Sequence, residues 1–534
     1  IRDYYASRGL GDVYKRQSMG NKIYPIGIQN FESLRLDGYF YIDKTALIYQ
    51  LVKSGRYYFL SRPRRFGKSL LISTLEAYFQ GKKELFQGLA MEKLEKDWTK
   101  YPILHIDLNT QKYDSPQSLE SKLNRTLVTW EKLYGSEPAE DSLSMRFEGT
   151  IQRAYEQTGQ RVVILVDEYD KPMLQAIGNK ELQNSFRETL KAFYGALKSK
   201  DGCIKFAMLT GVTKFGKVSV FSDLNNLDDI SMWNEYIELC GISEKEIHKN
   251  LETELHEFAD VQKMTYDSFC EKLRQYYDGY HFTHNSIGMY NPFSLLNAFK
   301  RKEFGSYWFE TGTPTYLVEL LKRHHYNLER MAHEETNAQV LNSIDSESTS
   351  PIPVIYQSGY LTIKGYDEEF GIYHLGVPNK EVEEGFIQFL VPYYTSMNKV
   401  ESPFEIQKFV REIRSGDYNS FFQRLQSFFA DTTYEIIREQ KLHYENVLFI
   451  IFKLVGFYVK VEYHTSRGRI DLVLQTDKFI YIMEFKLNGT AEEALQQIND
   501  KHYALPFETD GRRLFKIGVN FSAETRNIEK WIVE

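Results

Sequence analysis

Cysteine is scarce in this 534-residue sequence, and long hydrophobic runs are missing. The three cysteines, Cys203, Cys240 and Cys270, have no metal-ligand spacing, and an odd number cannot form a complete disulfide framework. We therefore expect a reducing compartment. The longest apolar stretch, residues 447–459, is interrupted by Lys453 and is too short to span a bilayer. With no visible secretory signal, these features predict a cytoplasmic protein without a membrane-spanning segment.

A strong excess of charge of one sign is also lacking. The net charge is -7, with 42% hydrophobic and 26% charged residues, which excludes wholesale disorder. This balance carries no global signature of nucleic-acid binding, although a local basic patch can still bind DNA. The chain is too long for one hydrophobic core, so we expect roughly two to four domains. Residues 7–17 resemble translated sequencing-adapter read-through, and we expect residues 1–18 to be a non-native leader without function.

Short apolar runs alternate with amphipathic helical stretches over residues 19–237. Buried strands are predicted at residues 56–61, 101–108, 161–167 and 203–211, and helices at residues 68–80 and 181–197. Strands that alternate with helices predict a parallel sheet covered on both faces. The fold class is therefore α/β.

The first predicted strand is followed by RPRRFGKS and then by a helix. A phosphate-binding loop has the pattern G-x-x-x-x-G-K-[ST] between a strand and a helix. Gly67, Lys68 and Ser69 match this pattern, whereas Arg62 replaces the leading glycine. Gly67 lets backbone N–H groups approach phosphates, Lys68 would reach the β- and γ-phosphates, and Ser69 would bind Mg²⁺.

Three further residues of this loop are candidates for nucleotide binding: Arg64, Arg65 and Phe66. The two arginines either contact phosphates or remain solvated, and the sequence leaves both alternatives open.

A second apolar run, VVILVDEYD, ends in Asp167 and Glu168. Acidic residues at the end of a buried strand cost desolvation energy unless they meet a metal or a partner. Together with the phosphate loop, they predict an ATP site in which Asp167 holds Mg²⁺ and Glu168 polarises the attacking water. Thr210 and Thr213 follow another buried strand and could sense the γ-phosphate or be ordinary loop residues.

The rest of the chain divides into three predicted segments. Residues 238–400 are mainly helical and form a lid or winged-helix-like connector, and residues 401–439 form a helical linker, with an amphipathic helix at 401–429. Residues 440–534 return to an α/β pattern of helix, two strands, helix and strand.

Two carboxylates and a lysine lie on the predicted strands of the last segment. Asp471 opens one strand, and the next ends with Glu484 and Lys486, which share a face because side chains alternate. Asp471 and Glu484 could hold Mg²⁺, and Lys486 could activate water for phosphodiester hydrolysis. A surface hairpin with a Glu–Lys pair is the alternative.

Several segments in the same order resemble the predicted AAA-ATPase-like proteins of bacteria. They include FLSRPRRFGKSLLISTLEAYF, LVDEYDKP, LTGVTKFGKVSVFSDLNNL, YDGYHF and YNPFSLLNAF, and they span most of the chain. The resemblance implies an ASCE-type P-loop fold with Glu168 as the catalytic glutamate. Members with this loop commonly lack the first glycine, so Arg62 fits the family's own pattern.

The spacing from Asp471 to E-x-K resembles the PD-(D/E)xK nuclease core, which implies a restriction-endonuclease-like α/β domain. The resemblance also assigns Glu445 as a further metal-side acid and brings Gln497 and Tyr503 near the site.

We therefore expect an ATP-hydrolysing protein coupled to a Mg²⁺-dependent nuclease that acts on DNA, and homo-oligomerisation remains open. The alternative is a scaffold or signalling ATPase whose C-terminal domain binds nucleic acid or protein without cutting. DNA binding would need clustered cations, and the candidates are Arg467, Arg469, Arg512, Arg513 and Lys516. The alternative is that these residues are scattered, solvated charges.

Overall fold

The computed structural model describes residues 22–215, 226–309, 315–342, 344, 350–395, 402–430, 440–466, 469–487, 489–522 and 524–534. The predicted leader, residues 1–18, lies outside these ranges. The chain divides into two compact units. The first unit is Ile1–Gly312 with Glu334–Val382, and the second is Thr313–His333 with Glu383–Glu534. The connector predicted at residues 238–400 is thus divided between the two units.

A parallel sheet organises the first unit. Its strands are β1 Tyr57–Ser61, β2 Ile103–Asp107, β3 Val162–Asp167, β4 Ile204–Gly211 and β5 Asp228–Asp229. Their order is β2-β3-β4-β1-β5, and all neighbouring pairs are parallel. Because β4 lies between β1 and β3, the sheet has the strand order of an ASCE-type P-loop fold. Both β1 and β3 are buried along their whole length, as their apolar sequences predict.

Helices precede and connect these strands. They are α1 Phe31–Leu36, α2 Thr45–Ser54, α3 Lys68–Phe79, α4 Ala90–Leu94, α5 Pro116–Tyr134, α6 Leu143–Thr158, α7 Lys171–Gln175, α8 Lys180–Tyr194 and α9 Ala196–Ser199. The helices predicted at 68–80 and 181–197 are confirmed as α3 and as α8 followed by α9.

Further helices and two short strands follow the sheet. The strands β6 Ile242–Ser243 and β7 Met289–Tyr290 pair antiparallel. The helices are α10 Glu244–Val261, α11 Tyr266–Tyr277, α12 Pro292–Arg301, α13 Thr315–Arg323, α14 Ala338–Asn342 and α15 Ile352–Gln357. Of these, α13 belongs to the second unit. Phe258, Phe269 and Phe299 are buried between α10, α11 and α12 and give this region a core of its own.

The mainly helical prediction for this region omitted a small sheet. Strands β8 Glu334–Asn337, β9 Thr362–Asp367 and β10 Ile372–Gly376 form an antiparallel sheet in the order β8-β10-β9. Short 3₁₀ helices complete the regular structure of the described residues, at Lys83–Phe86, Asp201–Cys203, Ile230–Met232, Asn234–Leu239, Leu328–Ala332 and Leu505–Phe507.

The second unit contains a mixed sheet with helices on both faces. The helices are α16 Lys380–Tyr394, which begins in the first unit, α17 Ser402–Ser415, α18 Tyr418–Ala430, α19 Gln440–Gly456 and α20 Ala491–Asp500. The strands, β11 Lys460–Ser466, β12 Arg469–Gln475, β13 Phe479–Leu487, β14 Arg513–Ser522 and β15 Asn527–Val533, are neighbours in chain order. Of these neighbouring pairs, only β13 and β14 are parallel. The edge strands β11 and β15 were not predicted, because their sequences mix charged and apolar residues.

The single amphipathic helix predicted at residues 401–429 is wrong, because two helices occupy this segment. Gly416 separates α17 from α18 and has a φ of 84°, a left-handed conformation that glycine adopts without steric cost. Asp417 then accepts hydrogen bonds from the N–H and the hydroxyl of Ser420, which starts the second helix.

Among the described residues, no helix has both the length and the apolar composition that crossing a bilayer requires.

Candidate functional site

The loop between β1 and α3 is shaped by two residues in the left-handed region. Arg65 has a φ of 67° and Gly67 a φ of 98°. A left-handed conformation costs a non-glycine residue on the order of 1 kcal/mol, and such strain clusters at functional sites. Gly67 caps α3, so the unpaired N–H groups of the helix N-terminus face the carboxyl edge of the sheet. This geometry suits a phosphate group.

Arg62, which replaces the leading glycine, is buried behind the loop. Its guanidinium donates hydrogen bonds to the carbonyl oxygens of Ser61 (2.9 Å) and Ser231 (2.7 Å). The group also stacks on the ring of Phe282, 4.0 Å from the centroid. Burial lowers the pKa of Arg62 to about 10. The arginine therefore braces the loop from its inner side, where a glycine would leave a void.

Lys68 points back along its own loop. Its Nζ donates to the carbonyl oxygens of Arg62 (3.1 Å) and Pro63 (3.3 Å) and lies 3.5 Å from Glu168 Oε1. The lysine is 4% exposed, so its charge is held in a mostly dry pocket. A buried ammonium beside one carboxylate and two carbonyls is placed to exchange these partners for phosphate oxygens.

Asp167 ends β3 next to the loop and makes polar contacts on two sides. Burial raises the pKa of Asp167, while hydrogen bonds from Ser69 and Thr210 and the charge of Lys68 lower it. The Thr210 hydroxyl donates to Asp167 Oδ1 at 2.7 Å, and Thr210 is completely buried. The structure therefore brings Lys68, Ser69 and Asp167 together, with Thr210 supporting the carboxylate from behind.

A tight turn after β3 carries Glu168, whose φ is 55°. The N–H of Tyr169 donates to the carbonyl of Thr210 (3.0 Å), and the N–H of Lys171 donates to the carbonyl of Glu168 (3.0 Å). Asp170 is completely buried and accepts hydrogen bonds from the N–H groups of Val212 and Thr213. Thr213 also donates its hydroxyl to Asp170, so it belongs to this support.

Sequence reasoning missed Asp170 and Lys171, although both lie in the motif DEYDKP. The available signal was the third acid of the motif, three residues after Asp167, followed directly by a lysine.

A cavity of about 350 Å³ opens over these groups. Its cationic walls are Arg64, Arg65, Lys68 and Lys171, and its acidic wall is Glu168. Other lining residues include Pro25, Ile26, Gly27, Ile28, Gln29, Asn109, Pro292, Phe293 and Leu296. The cavity thus has both basic and apolar walls, and Arg65 lies over the ring of Phe293, 4.9 Å from its centroid.

The outer side of the loop is held by three residues of the helical region. Phe66 packs edge-on against Tyr280 of YDGYHF, with ring centroids 4.8 Å apart. The carbonyl of Arg64 accepts hydrogen bonds from the side chains of Asn291 (3.3 Å) and Trp308 (3.2 Å). Phe66 is 1% exposed, so its side chain stabilises the loop by packing.

A second polar site lies in the other unit, on its mixed sheet. Asp471 on β12 pairs directly with Glu484 on β13, and Lys486 lies two residues farther along β13. Side chains directly opposite on antiparallel strands share a face, as do residues two apart on one strand. The two carboxylates and the lysine therefore lie on one face, and Glu484 is completely buried.

Helix α20 packs on that same face of the sheet. Gly518 pairs with Glu484 in parallel register, and a Cβ atom at Gly518 would collide with the backbone of α20. Gln497 lies on α20, and Tyr503 packs against the cluster that joins this helix to Ile480 and Ile482. Both predicted accessory residues are therefore on elements that cover the carboxylate face.

Glu445 lies on α19, whose Phe452 contacts Phe485, a residue of the opposite face of the sheet. Within the described part of the chain, no group of three or more His, Cys, Asp and Glu side chains is arranged to hold a metal ion. The structure thus brings Asp471 and Glu484 together but does not join Glu445 to them in such a group.

Three of the five cations considered for DNA binding contact nearby side chains of their own unit. Arg512 bonds Asp510, and Lys516 lies 3.6 Å from Glu534. Arg513 stacks on Phe515, Arg467 lies outside the described residues, and the side chain of Arg469 is not described.

Comparison with known proteins agrees with this architecture. The family model described as "Predicted AAA-ATPase" matches residues 25–221, and the model of the PD-(D/E)XK nuclease superfamily matches residues 427–531. The "Uncharacterized protein in vnfD 5'region" of Azotobacter chroococcum mcd 1 is 35% identical over 532 residues, which cover 97% of this chain and 99% of the relative. A solved structure of the Aeropyrum pernix ORC2 protein, in ADPNP–ADP complexes, is 10% identical to this chain with a TM-score of 0.22. The match covers 63% of this chain and 87% of the ORC2 chain. A TM-score this low supports no conclusion.

The sheet order and the loop define a P-loop protein of the ASCE class, with a nuclease-like α/β domain at its C-terminal end. The chain belongs to the predicted AAA-ATPase family, in a form that carries a PD-(D/E)XK nuclease superfamily domain.

Proposed function

We propose that the protein binds ATP with Mg²⁺ in the cavity of the first unit and hydrolyses it. The observation that carries this proposal is the convergence of Lys68, Ser69 and Asp167 at the carboxyl edge of the parallel sheet. In open α/β sheets this edge is where ligands bind.

The charge of the cavity supports a polyanionic ligand. Four cations line it, whereas Glu168, 3.5 Å from Lys68, is the acidic residue among the described lining residues. A triphosphate would neutralise this excess of positive charge. The apolar part of the lining, which includes Pro25 and Leu296, suits the flat face of a purine base.

The donor set also fits Mg²⁺. Ser69 and Asp167 would hold the ion, because a hydroxyl and a carboxylate are hard oxygen ligands. Bound Mg²⁺ supplies neutralisation of phosphate charge. The remaining work falls to the protein: Lys68 binds phosphate oxygens, Glu168 orients a water molecule, and Thr210 keeps Asp167 in position.

The test compares binding with turnover in matched variants. Wild type should release phosphate from ATP in the presence of Mg²⁺ and lose this activity with EDTA. Lys68→Ala should abolish both nucleotide binding and hydrolysis, whereas Glu168→Gln should keep binding and lower turnover by about 100-fold or more. Lys198→Ala, at an exposed lysine on α9, is the control and should behave as wild type. Full activity in Lys68→Ala would refute the site.

For the second unit we propose a Mg²⁺-dependent nuclease that acts on DNA. The shared face of Asp471, Glu484 and Lys486 supports this proposal, because two carboxylates and a lysine can bind a metal and stabilise phosphate charge. The second candidate is a domain that binds nucleic acid or protein without cutting. It is favoured by the local pairing of Arg512 with Asp510 and of Lys516 with Glu534, because these contacts occupy cations that could otherwise hold a DNA substrate for cleavage.

One experiment separates these two candidates. Supercoiled plasmid is incubated with Mg²⁺ and wild type, Asp471→Asn or Glu484→Gln, with Glu462→Gln as a control at a carboxylate on the edge strand β11. Nicking by wild type and the control, but by neither site variant, supports the nuclease. Binding of DNA by all four proteins without nicking supports the second candidate.

A further inference from the structure

We propose that Lys171 is a catalytic residue whose ammonium group binds the terminal phosphate of ATP and stabilises the charge that develops there during hydrolysis. This inference rests on the proposed ATPase function and adds a residue to it. The cation would come from the same chain as the phosphate loop. Nucleotide hydrolases of this kind commonly need such a cation, supplied either in cis or by a partner.

The position of Lys171 is the first argument. It lines the 350 Å³ cavity together with Lys68, Ser69 and Glu168, the groups proposed to bind the phosphates, the Mg²⁺ and the water, respectively. Lys171 is the first residue of α7, directly after the turn that carries Glu168. The cation and the water-orienting carboxylate are therefore presented to one cavity by the same short segment.

The charged surroundings of Lys171 support the same role. Burial lowers the pKa of Lys171, and the nearby charge of Arg64 lowers it further, while Glu168, Asp170 and Asp107 raise it. Two neighbouring cations that face one cavity repel each other until an anion lies between them.

The rigidity of the supporting turn is the third argument. Tyr169 and Asp170 tie it to the end of β4, through Thr210 and Thr213 respectively. The Tyr169 hydroxyl adds a bond to the carbonyl of Thr213 at 2.8 Å. Groups that are fixed before the reaction stabilise developing charge without reorganisation. The backbone of Lys171 is held in this way, and only its side chain has to reach the phosphate.

In the hydrolysis step, one bond to the terminal phosphorus forms while another breaks. The oxygen of water forms a bond to the γ-phosphorus while the bond from that phosphorus to the β–γ bridging oxygen breaks. The bridging oxygen keeps the electron pair and leaves as part of ADP, and the proton of the water passes to the Glu168 carboxylate and then to solvent. Lys171 remains protonated throughout and acts only through its charge and its hydrogen bonds.

The test uses the full chain and three variants, Lys171→Ala, Lys171→Arg and Lys198→Ala. Steady-state phosphate release gives kcat and KM, and fluorescent ADP and a non-hydrolysable ATP analogue give the two affinities. Lys171→Ala should lower kcat by about 100-fold or more. It should also lower the affinity for the ATP analogue more than the affinity for ADP, because ADP lacks the terminal phosphate. Lys171→Arg should recover part of kcat, and Lys198→Ala should match wild type.

Two outcomes would overturn the inference. The first is a kcat of Lys171→Ala within about threefold of wild type, too small a change for a lost charge contact to the reacting phosphate. The second is an equal loss of ADP and ATP-analogue affinity together with a lower melting temperature, which would assign Lys171 a structural role. If wild type binds no nucleotide, or if Lys68→Ala is fully active, the proposed ATPase function fails instead, so the two failures are distinguishable.

Discussion

Asp170 Oδ2 accepts two hydrogen bonds from Thr213, one from its backbone N–H and one from its hydroxyl, both at 2.6 Å. This pair joins the turn after β3, which carries Glu168, to the loop after β4. The two segments are far apart in sequence, yet a single carboxylate fixes one to the other. Since Asp170 is completely buried, the link is also a site where charge is costly.

The first prediction concerns the pH dependence of stability. Burial raises the pKa of Asp170 from 3.8 to about 6, and the charge of Glu168 contributes to the rise. A raised pKa means that the folded chain keeps this proton while the unfolded chain has already lost it. The contribution of Asp170 to the free energy of unfolding therefore falls, on the order of a few kcal/mol, as pH rises from about 4 to about 6, and is constant above.

Asp170→Asn should remove this decline, because the amide does not titrate. Urea unfolding of wild type and variant across that pH range measures the difference, with Asp37→Asn, at an exposed carboxylate, as the control. A wild-type-like pH profile in Asp170→Asn would contradict the assignment.

The second prediction concerns Arg62, the residue that departs from the general phosphate-loop pattern. Arg62→Gly restores that pattern but removes two charge-assisted hydrogen bonds and the contact with Phe282. We expect a loss of about 2–4 kcal/mol in the free energy of unfolding and no gain in ATP affinity. Arg62→Met fills the same space without charge and should lose much less. A stable Arg62→Gly with tighter ATP binding would show that Arg62 does not brace the loop.

Much of this site follows from local sequence. The strand runs end where apolar residues give way to DE and to RPRRFGKS, and parallel strands bring such ends to one edge. The meeting of Lys68, Ser69 and Asp167 could therefore be predicted. The pairing of Asp471 with Glu484 follows equally from the short connection between two strands that are adjacent in the sequence.

Other features depend on contacts that no local pattern encodes. The packing of Phe66 against Tyr280 joins two segments that are distant in the chain. The role of Arg62 depends on Ser231 and Phe282, and the role of Asp170 on the loop after β4. Each of these partners is an ordinary residue in its own segment, so only the assembled fold reveals what it does.

The third prediction concerns Gly67 and distinguishes a loss of stability caused by backbone strain from a loss of ATP binding. Gly67 has a φ of 98°, and no atom lies within 4 Å of the position that a Cβ would take, so Gly67→Ala meets no clash within the protein. The substitution should cost about 1 kcal/mol of stability through backbone strain. It should also abolish ATP binding, because the methyl group lies where phosphates approach. Gly159→Ala, with a φ of 66° and equally open space at the end of α6, is the matched control.

The control should lose similar stability but bind ATP normally, as measured by fluorescent-nucleotide titration and thermal unfolding. Normal ATP binding by Gly67→Ala would mean that the phosphates do not approach this position.

The last prediction concerns the contact that closes the carboxylate face of the second unit. A methyl group at Gly518 would collide with the carbonyl oxygen of Ala491 and the backbone nitrogen of Leu495, both in α20. Backbone atoms cannot rotate away as side chains can, so Gly518→Ala should displace the helix and cost about 1–3 kcal/mol or more. Gly511→Ala, where no atom lies within 4 Å, should be neutral. Because Gly518 pairs with Glu484, the shift should also impair the DNA cleavage or binding that we propose for this domain. Thermal unfolding and plasmid nicking of both variants test this, and equal stability of the two proteins would mean that α20 does not pack on Gly518.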